Sequence, residues 1–147
     1  MSKTRILVHI VFTTKHRAKT IPLPYKRRLY AYIHGIIQNY KCTTLRINGM
    51  TDHVHILVNL HPSVSLSELV KEIKRSTSLW LKETEVFKGF KGWNEGYYAA
   101  SIGTGNEERC INYIKNQELH HNGKDFMQEV QELAIEYMLD WDENDWQ

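Results

Sequence analysis

Ile6, Val8, Ile10 and Phe12 fall on one face of an extended chain. They lie in a stretch, Thr4 to Lys15, that is rich in β-branched residues, and the pattern predicts a first strand. Thr14 to Pro24 is basic, carries Pro22 and Pro24, and reads as a loop leading into a helix start. Leu29, Tyr32, Ile33, Ile36, Ile37 and Tyr40 then recur at helical spacing. Lys41–Gly49 and His53–Leu60 read as the second and third strands, and the segment Asn48 to Asp52 between them has hairpin chemistry. Ser65 to Glu68 has the form of a capping box, with Val64 and Leu69 as its staple. It opens a helix whose apolar stripe includes Leu66, Leu69, Val70, Ile73 and Trp80. Trp93–Ile102 is expected as a fourth strand and Asn106–His121 as a third helix that Gly123 stops. Phe126, Val130, Leu133 and Tyr137 suggest a last helix trailing into an acidic end.

The first six elements follow the split β-α-β order of the ferredoxin-like α+β class. That order predicts an antiparallel sheet with two helices on one face. The third helix must then pack on the other face, on an edge, or on a partner subunit. A length of 147 residues, 41% of them hydrophobic and 24% charged, fits one soluble globular domain. The apolar run Ile6–Phe12 is too short to span a bilayer, so no membrane association is expected. Two cysteines, Cys42 and Cys110, make neither a disulfide framework nor a four-cysteine zinc site, which points to a reduced, cytoplasmic setting.

The net charge of +2 hides its distribution. Residues 1–51 contain ten Lys/Arg and no acid, residues 52–124 nine of each, and residues 125–147 eight acids and no Lys/Arg. A basic third of this kind fits a polyanion such as nucleic acid. It equally fits a solvated face that the acidic end neutralises. If the end folds back on the basic surface, it would compete with DNA.

In an extended Asp52-His53-Val54-His55-Ile56-Leu57-Val58, the residues Val54, Ile56 and Val58 face the core while His53 and His55 share the other face. Their Cβ atoms are then roughly 6.5 Å apart, close enough to converge on one metal. Among eight histidines such a pair is a weak signal, and two exposed strand histidines are the plainer reading. Tyr113 and Gln117 are four apart on the third helix and share a face. The plainer reading there is a core tyrosine and a solvated glutamine. Taken together, two imidazoles and an amide oxygen make a neutral ligand set for a divalent ion, with open positions for phosphate oxygens. A tyrosine beside that ion is a nucleophile awaiting a phosphodiester. Its reference pKa near 10 calls for activation by a nearby cation.

The chain resembles the single-tyrosine HUH transposases of the insertion sequence 200-like family, HUH meaning His-hydrophobic-His. Four segments carry the resemblance: His9 to Arg17, Asp52 to Val58, Trp93 to Gly103, and Tyr113 to Gln117. The resemblance implies that residues 1–123 are the catalytic domain, with 124–147 a C-terminal helix and acidic tail of the same domain. It implies that His53, His55 and Gln117 bind Mg²⁺ or Mn²⁺. It implies that Tyr113 attacks single-stranded DNA near imperfect hairpins, leaving a 5′-phosphotyrosine and a free 3′-OH. It further implies a homodimer in which Tyr113 of one subunit works at the His pair of the other. Lys15, Arg17, Lys19, Lys26, Arg27 and Arg28 are the candidates for backbone contacts. A domesticated, non-cleaving module that holds hairpin DNA or RNA is the alternative function. An HUH replication initiator or relaxase fits this short chain less well.

His9 is expected in a hydrogen-bonded packing role, and Asp52 as a turn cap pointing away from the histidines. His120 and His121 read as cations at a helix C-terminus. Of Tyr97 and Tyr98, one should face the core and the other be free to stack a base. Trp141 and Trp146 sit in the acidic end.

Overall fold

A computed structural model describes residues 2–120, 125–137 and 139. Strands β1 (Leu7–Thr13), β2 (Thr43–Gly49), β3 (His53–Asn59) and β4 (Tyr98–Ile102) form one antiparallel sheet in the order β2-β3-β1-β4. The helices are α1 (Lys26–Asn39), α2 (Leu66–Glu83), α3 (Glu107–Lys115), α4 (Gln117–His120) and α5 (Phe126–Glu136). This is the ferredoxin-like α+β arrangement that the element order predicts.

Alternation along the two central strands divides the molecule. Val8, Ile10 and Phe12 of β1 and Val54, Ile56 and Val58 of β3 meet Leu29, Ile33 and Ile37 of α1 and Leu69, Val70 and Ile73 of α2 in the larger core. The other face of the sheet is also covered. Leu7, Leu57 and Ile102 pack under Cys110 and Ile114 of α3, while Val11 and Tyr98 pack under Phe126, Val130, Leu133 and Ala134 of α5. The third helix therefore packs on the second face of its own sheet, and α5 lies beside it. Residues opposite one another in an antiparallel pair share a face, so the register Thr13↔His53, Val11↔His55 and His9↔Leu57 sends His9, His53 and His55 toward this second layer.

The β2–β3 hairpin fixes where the histidine strand begins. Met50 N–H donates to His53 O at 3.1 Å, and a Cβ on Gly49 would lie 2.1 Å from that same carbonyl oxygen. Only glycine fits there. At α2, the Ser65 hydroxyl accepts from Glu68 N–H, as the sequence predicts. The reciprocal capping box is found at α5, between Asp125 and Gln128.

Three expectations need correction. The first strand begins at Leu7 rather than Thr4, and Ile6 is exposed beyond its end. The fourth strand is Tyr98–Ile102. Ahead of it the chain meets Thr14, just past β1, in the isolated bridge Thr14↔Trp93, then runs outside the sheet through Gly96, whose φ is 77°, to Tyr98. The Lys74 ammonium holds this excursion by donating to Asn94 O and Gly96 O. The third helix is interrupted at Asn116 (φ −97°, ψ 27°), so Tyr113 lies in the last turn of α3 and Gln117 starts α4. The expectations for Gly123, His121, Trp141 and Trp146, and for the side chain of His120, concern positions outside the described residues.

Candidate active site

His53 and His55 are fully buried on the second face of β3, which excludes the reading of two exposed strand histidines. Asp52 precedes the strand, and its carboxylate turns back to accept from His53 Nδ1 at 2.7 Å. It does not point away, because the alternation of a strand begins only at His53. The other ring nitrogen, Nε2, lies 3.0 Å from Gln117 Oε1 and 3.5 Å from Glu129 Oε2. Burial alone would lower the His53 pKa. The hydrogen bonds and negative charges of Asp52 and Glu129 outweigh it and hold the imidazolium up to about 9.

His55 is oriented from behind. Its Nδ1 lies 2.9 Å from His9 Nε2, and His9 Nδ1 lies 2.9 Å from the Tyr137 hydroxyl. Burial, then the neighbouring His55, hold His9 well below the ordinary histidine range, with Glu129 opposing, so His9 is a neutral relay. This is the hydrogen-bonded role expected for it. His55 Nε2 faces forward, 2.9 Å from Glu129 Oε1.

Tyr113 and Gln117 arrive from the opposite side, each on its own helix. The Tyr113 hydroxyl donates to Glu129 Oε1 at 2.5 Å, and Gln117 Nε2 donates to the same oxygen at 3.0 Å. Burial, then the Glu129 charge, push the tyrosine pKa well above its usual value, so this hydroxyl is protonated. Its ring is 5.8 Å from His55 of the same chain. The chain thus brings all four expected groups, His53, His55, Tyr113 and Gln117, to one point.

Glu129 is the group that sequence reasoning missed. It is 3% exposed, and its position on α5 is three after Phe126 and four before Leu133. A carboxylate at the spacing of an apolar stripe was the available signal.

The donor atoms of His53, His55 and Glu129 lie within 4.8 Å of one another, so the group can hold a metal ion. Separations near 3 Å between His55 and Glu129 and between His53 and Gln117 suit neighbouring ligands that each sit about 2.1 Å from one ion. Among the described residues Thr13 Oγ1, opposite His53, is buried with no hydrogen-bond partner, as befits the wall of a polar site. The residues fit a divalent metal.

The six candidate DNA-contacting cations are distributed around the centre. Lys26 and Arg27 line a groove of about 640 Å³ with Arg46, Asn48, Lys115 and Asn116, next to Gln117. Lys26 is only partly free, since it donates to Asn48 Oδ1 and Glu118 Oε1. Lys15 lines a second cleft, of about 490 Å³, with Lys82, Lys91 and Trp93. Arg17, Lys19 and Arg28 line neither. Arg17 follows His16 through a turn in which both have left-handed φ, 55° and 57°. Arg46, Lys82, Lys91 and Lys115 were not expected from the sequence. Tyr98 faces the buried second layer and Tyr97 is exposed.

Comparison with known proteins supplies the family. The family model described as IS200-like transposase matches residues 2–117. The transposases of insertion sequence IS200 from Salmonella typhimurium and Salmonella typhi are each 28% identical over 114 residues, covering 74% of this chain and 74% of theirs. A Deinococcus radiodurans structure assigned as a transposase superposes with a TM-score of 0.59 at 20% identity, over 79% of this chain and 93% of that one. A REP-associated tyrosine transposase, solved bound to a REP hairpin, gives 0.63 at 16% identity, over 83% and 75%. These two structural matches show a shared fold, and the match over residues 2–117 shows more: the chain belongs to the IS200-like transposase family.

Proposed function

We propose that this transposase cleaves and rejoins single-stranded DNA at hairpin-marked ends, with Tyr113 as nucleophile and His53, His55 and Gln117 as metal ligands. The observation that carries the reading is the convergence of these four side chains inside one chain. A divalent ion there, Mg²⁺ or Mn²⁺, would supply positive charge to a scissile phosphate and favour the phenolate. The Tyr113 oxygen attacks phosphorus, the bond to the 3′ oxygen breaks, and that oxygen leaves as a free 3′-OH once protonated. The 5′-phosphotyrosine retains the energy of the broken diester, so attack by another 3′-OH rejoins strands without ATP.

Lys26 and Arg27, with Arg46 and Lys115, provide a basic approach beside Gln117. The hairpin in the REP-associated relative supports a hairpin substrate. Cys110 and Ile114 seat the Tyr113 helix on the sheet of its own chain, and the shared-site homodimer that the resemblance implies would seat the same helix on a partner's sheet.

The test mixes the protein with end-derived single-stranded oligonucleotides and Mn²⁺ and looks for a denaturant-resistant adduct. Wild type should form it, and Tyr113→Phe and chelator-treated protein should not. Tight hairpin binding without any adduct would instead favour the non-cleaving module. A mixture of Tyr113→Phe and His53→Ala chains decides between the two arrangements: recovered activity places Tyr113 in trans, and none, with subunit exchange confirmed, places it in cis.

A further inference from the structure

We propose that Glu129 is a ligand to the divalent ion as well as the anchor of the Tyr113 hydroxyl, so that metal binding clamps α5 onto the active site. The inference rests on the metal-dependent tyrosine reading above and deepens it. Glu129 lies on α5, twelve residues after Gln117, beyond the residues that the family model matches. It is therefore a part of this centre that the family match does not assign.

Geometry carries the argument. Glu129 Oε1 accepts from Tyr113 and Gln117 and sits 2.9 Å from His55 Nε2, while Oε2 sits 3.5 Å from His53 Nε2. One carboxylate therefore touches every expected member of the site. A carboxylate is a harder, better-matched ligand for Mg²⁺ or Mn²⁺ than an imidazole, and it neutralises half of the ion's charge in a buried setting. It can bind with either oxygen while the other still accepts from the tyrosine.

The surroundings hold the carboxylate in place. Phe126, Val130, Leu133 and Ala134 seat α5 against Val11 and Tyr98, and the Phe126 ring lies 4.5 Å from that of His53. Because one side chain serves both the ion and the helix docking, the two equilibria must be coupled, and reciprocally. An ion that binds more tightly when α5 is docked also docks α5 more tightly. Glu129 is in this sense a positioning residue for the nucleophile, since it fixes where the Tyr113 oxygen sits relative to the ion.

The experiment measures Mn²⁺ affinity by titration calorimetry, and hydrogen exchange across α5 with and without Mn²⁺, for wild type, Glu129→Gln, Glu129→Asp and His53→Ala. Glu129→Gln keeps the shape and should weaken Mn²⁺ by about 10- to 100-fold. Wild type should gain Mn²⁺-induced protection of α5, and Glu129→Gln should abolish it. Glu129→Asp keeps the charge but shortens the reach, so it should bind Mn²⁺ more tightly than Glu129→Gln while its adduct forms more slowly than that of wild type at saturating metal. If both Glu129 variants bind Mn²⁺ within twofold of wild type while His53→Ala does not, the clamp is wrong and the histidine site stands. If His53→Ala also binds as well as wild type, the metal is elsewhere and both readings fall. Should Glu129→Gln fail to fold, the comparison of Glu129→Asp with wild type still decides: unchanged affinity with unchanged α5 protection overturns the clamp.

Discussion

At the scale of single residues, the histidines set the terms on which a metal can bind. His53 is held up to about 9 by Asp52 and Glu129 despite its burial, so at neutral pH a proton sits where the ion must go. A folded-state pKa above the unfolded value near 6.5 stabilises the metal-free fold fully below about 6.5, and that contribution is lost as pH rises through about 9. Metal affinity should move the opposite way, gaining about tenfold per pH unit below the folded pKa as one proton is displaced. Mn²⁺ titrations at pH 6.5, 7.5 and 8.5 check this, and a flat profile would refute it. His9 makes a separate demand. When His55 turns Nε2 to a metal, its proton resides on Nδ1 and donates to His9 Nε2, and His9 Nδ1–H in turn donates to Tyr137. His9→Phe removes that acceptor and should cost about 10- to 100-fold in Mn²⁺ affinity. Nitrogen NMR of the imidazoles with a diamagnetic divalent ion should show His55 as the Nδ1–H tautomer.

At the scale of elements, the β2–β3 hairpin aims the histidine strand, and Gly49 is its tightest point. Gly49→Ala would press a methyl group into His53 O, so the strand start must shift. Overpacking of this kind typically costs about 1–3 kcal/mol. Denaturant unfolding should report that loss, and Mn²⁺ affinity should fall with it. Much of this architecture is legible beforehand. The period-two pattern of Val54, Ile56 and Val58 places His53 and His55 together, and helical spacing brings Tyr113 near Gln117. What is not legible has identifiable causes. Asn116 breaks the helix without a glycine or proline. The Trp93–Tyr97 excursion depends on Lys74 reaching carbonyls some twenty residues away. Glu129 sits in an apolar stripe, but nothing local says that the surface it meets is a histidine pair rather than solvent.

At the scale of the whole molecule, charge is arranged around the sheet end that carries the site. Lys26, Arg27, Arg46 and Lys115 line one groove, and Lys15, Lys82 and Lys91 the other. Exposed Lys82 and Lys91 should act as plain phosphate contacts. Replacing either by alanine should weaken DNA binding for all sequences alike and lower the log–log salt slope by about 1, with stability unchanged. Lys26→Ala should lower both binding and stability, because its ammonium also ties Asn48 to Glu118. Binding isotherms at several salt concentrations beside melting curves separate the two classes.

The docking of α5 bears on how relatives of this gene are counted. A gene remnant ending at residue 124 would still encode His53, His55, Tyr113 and Gln117 and would still match the family throughout. Its sheet would nonetheless turn Val11 and Tyr98 to water, and its histidine pair would lie open. A truncation of this chain after residue 124 would therefore keep every signature residue and lose the carboxylate that meets them.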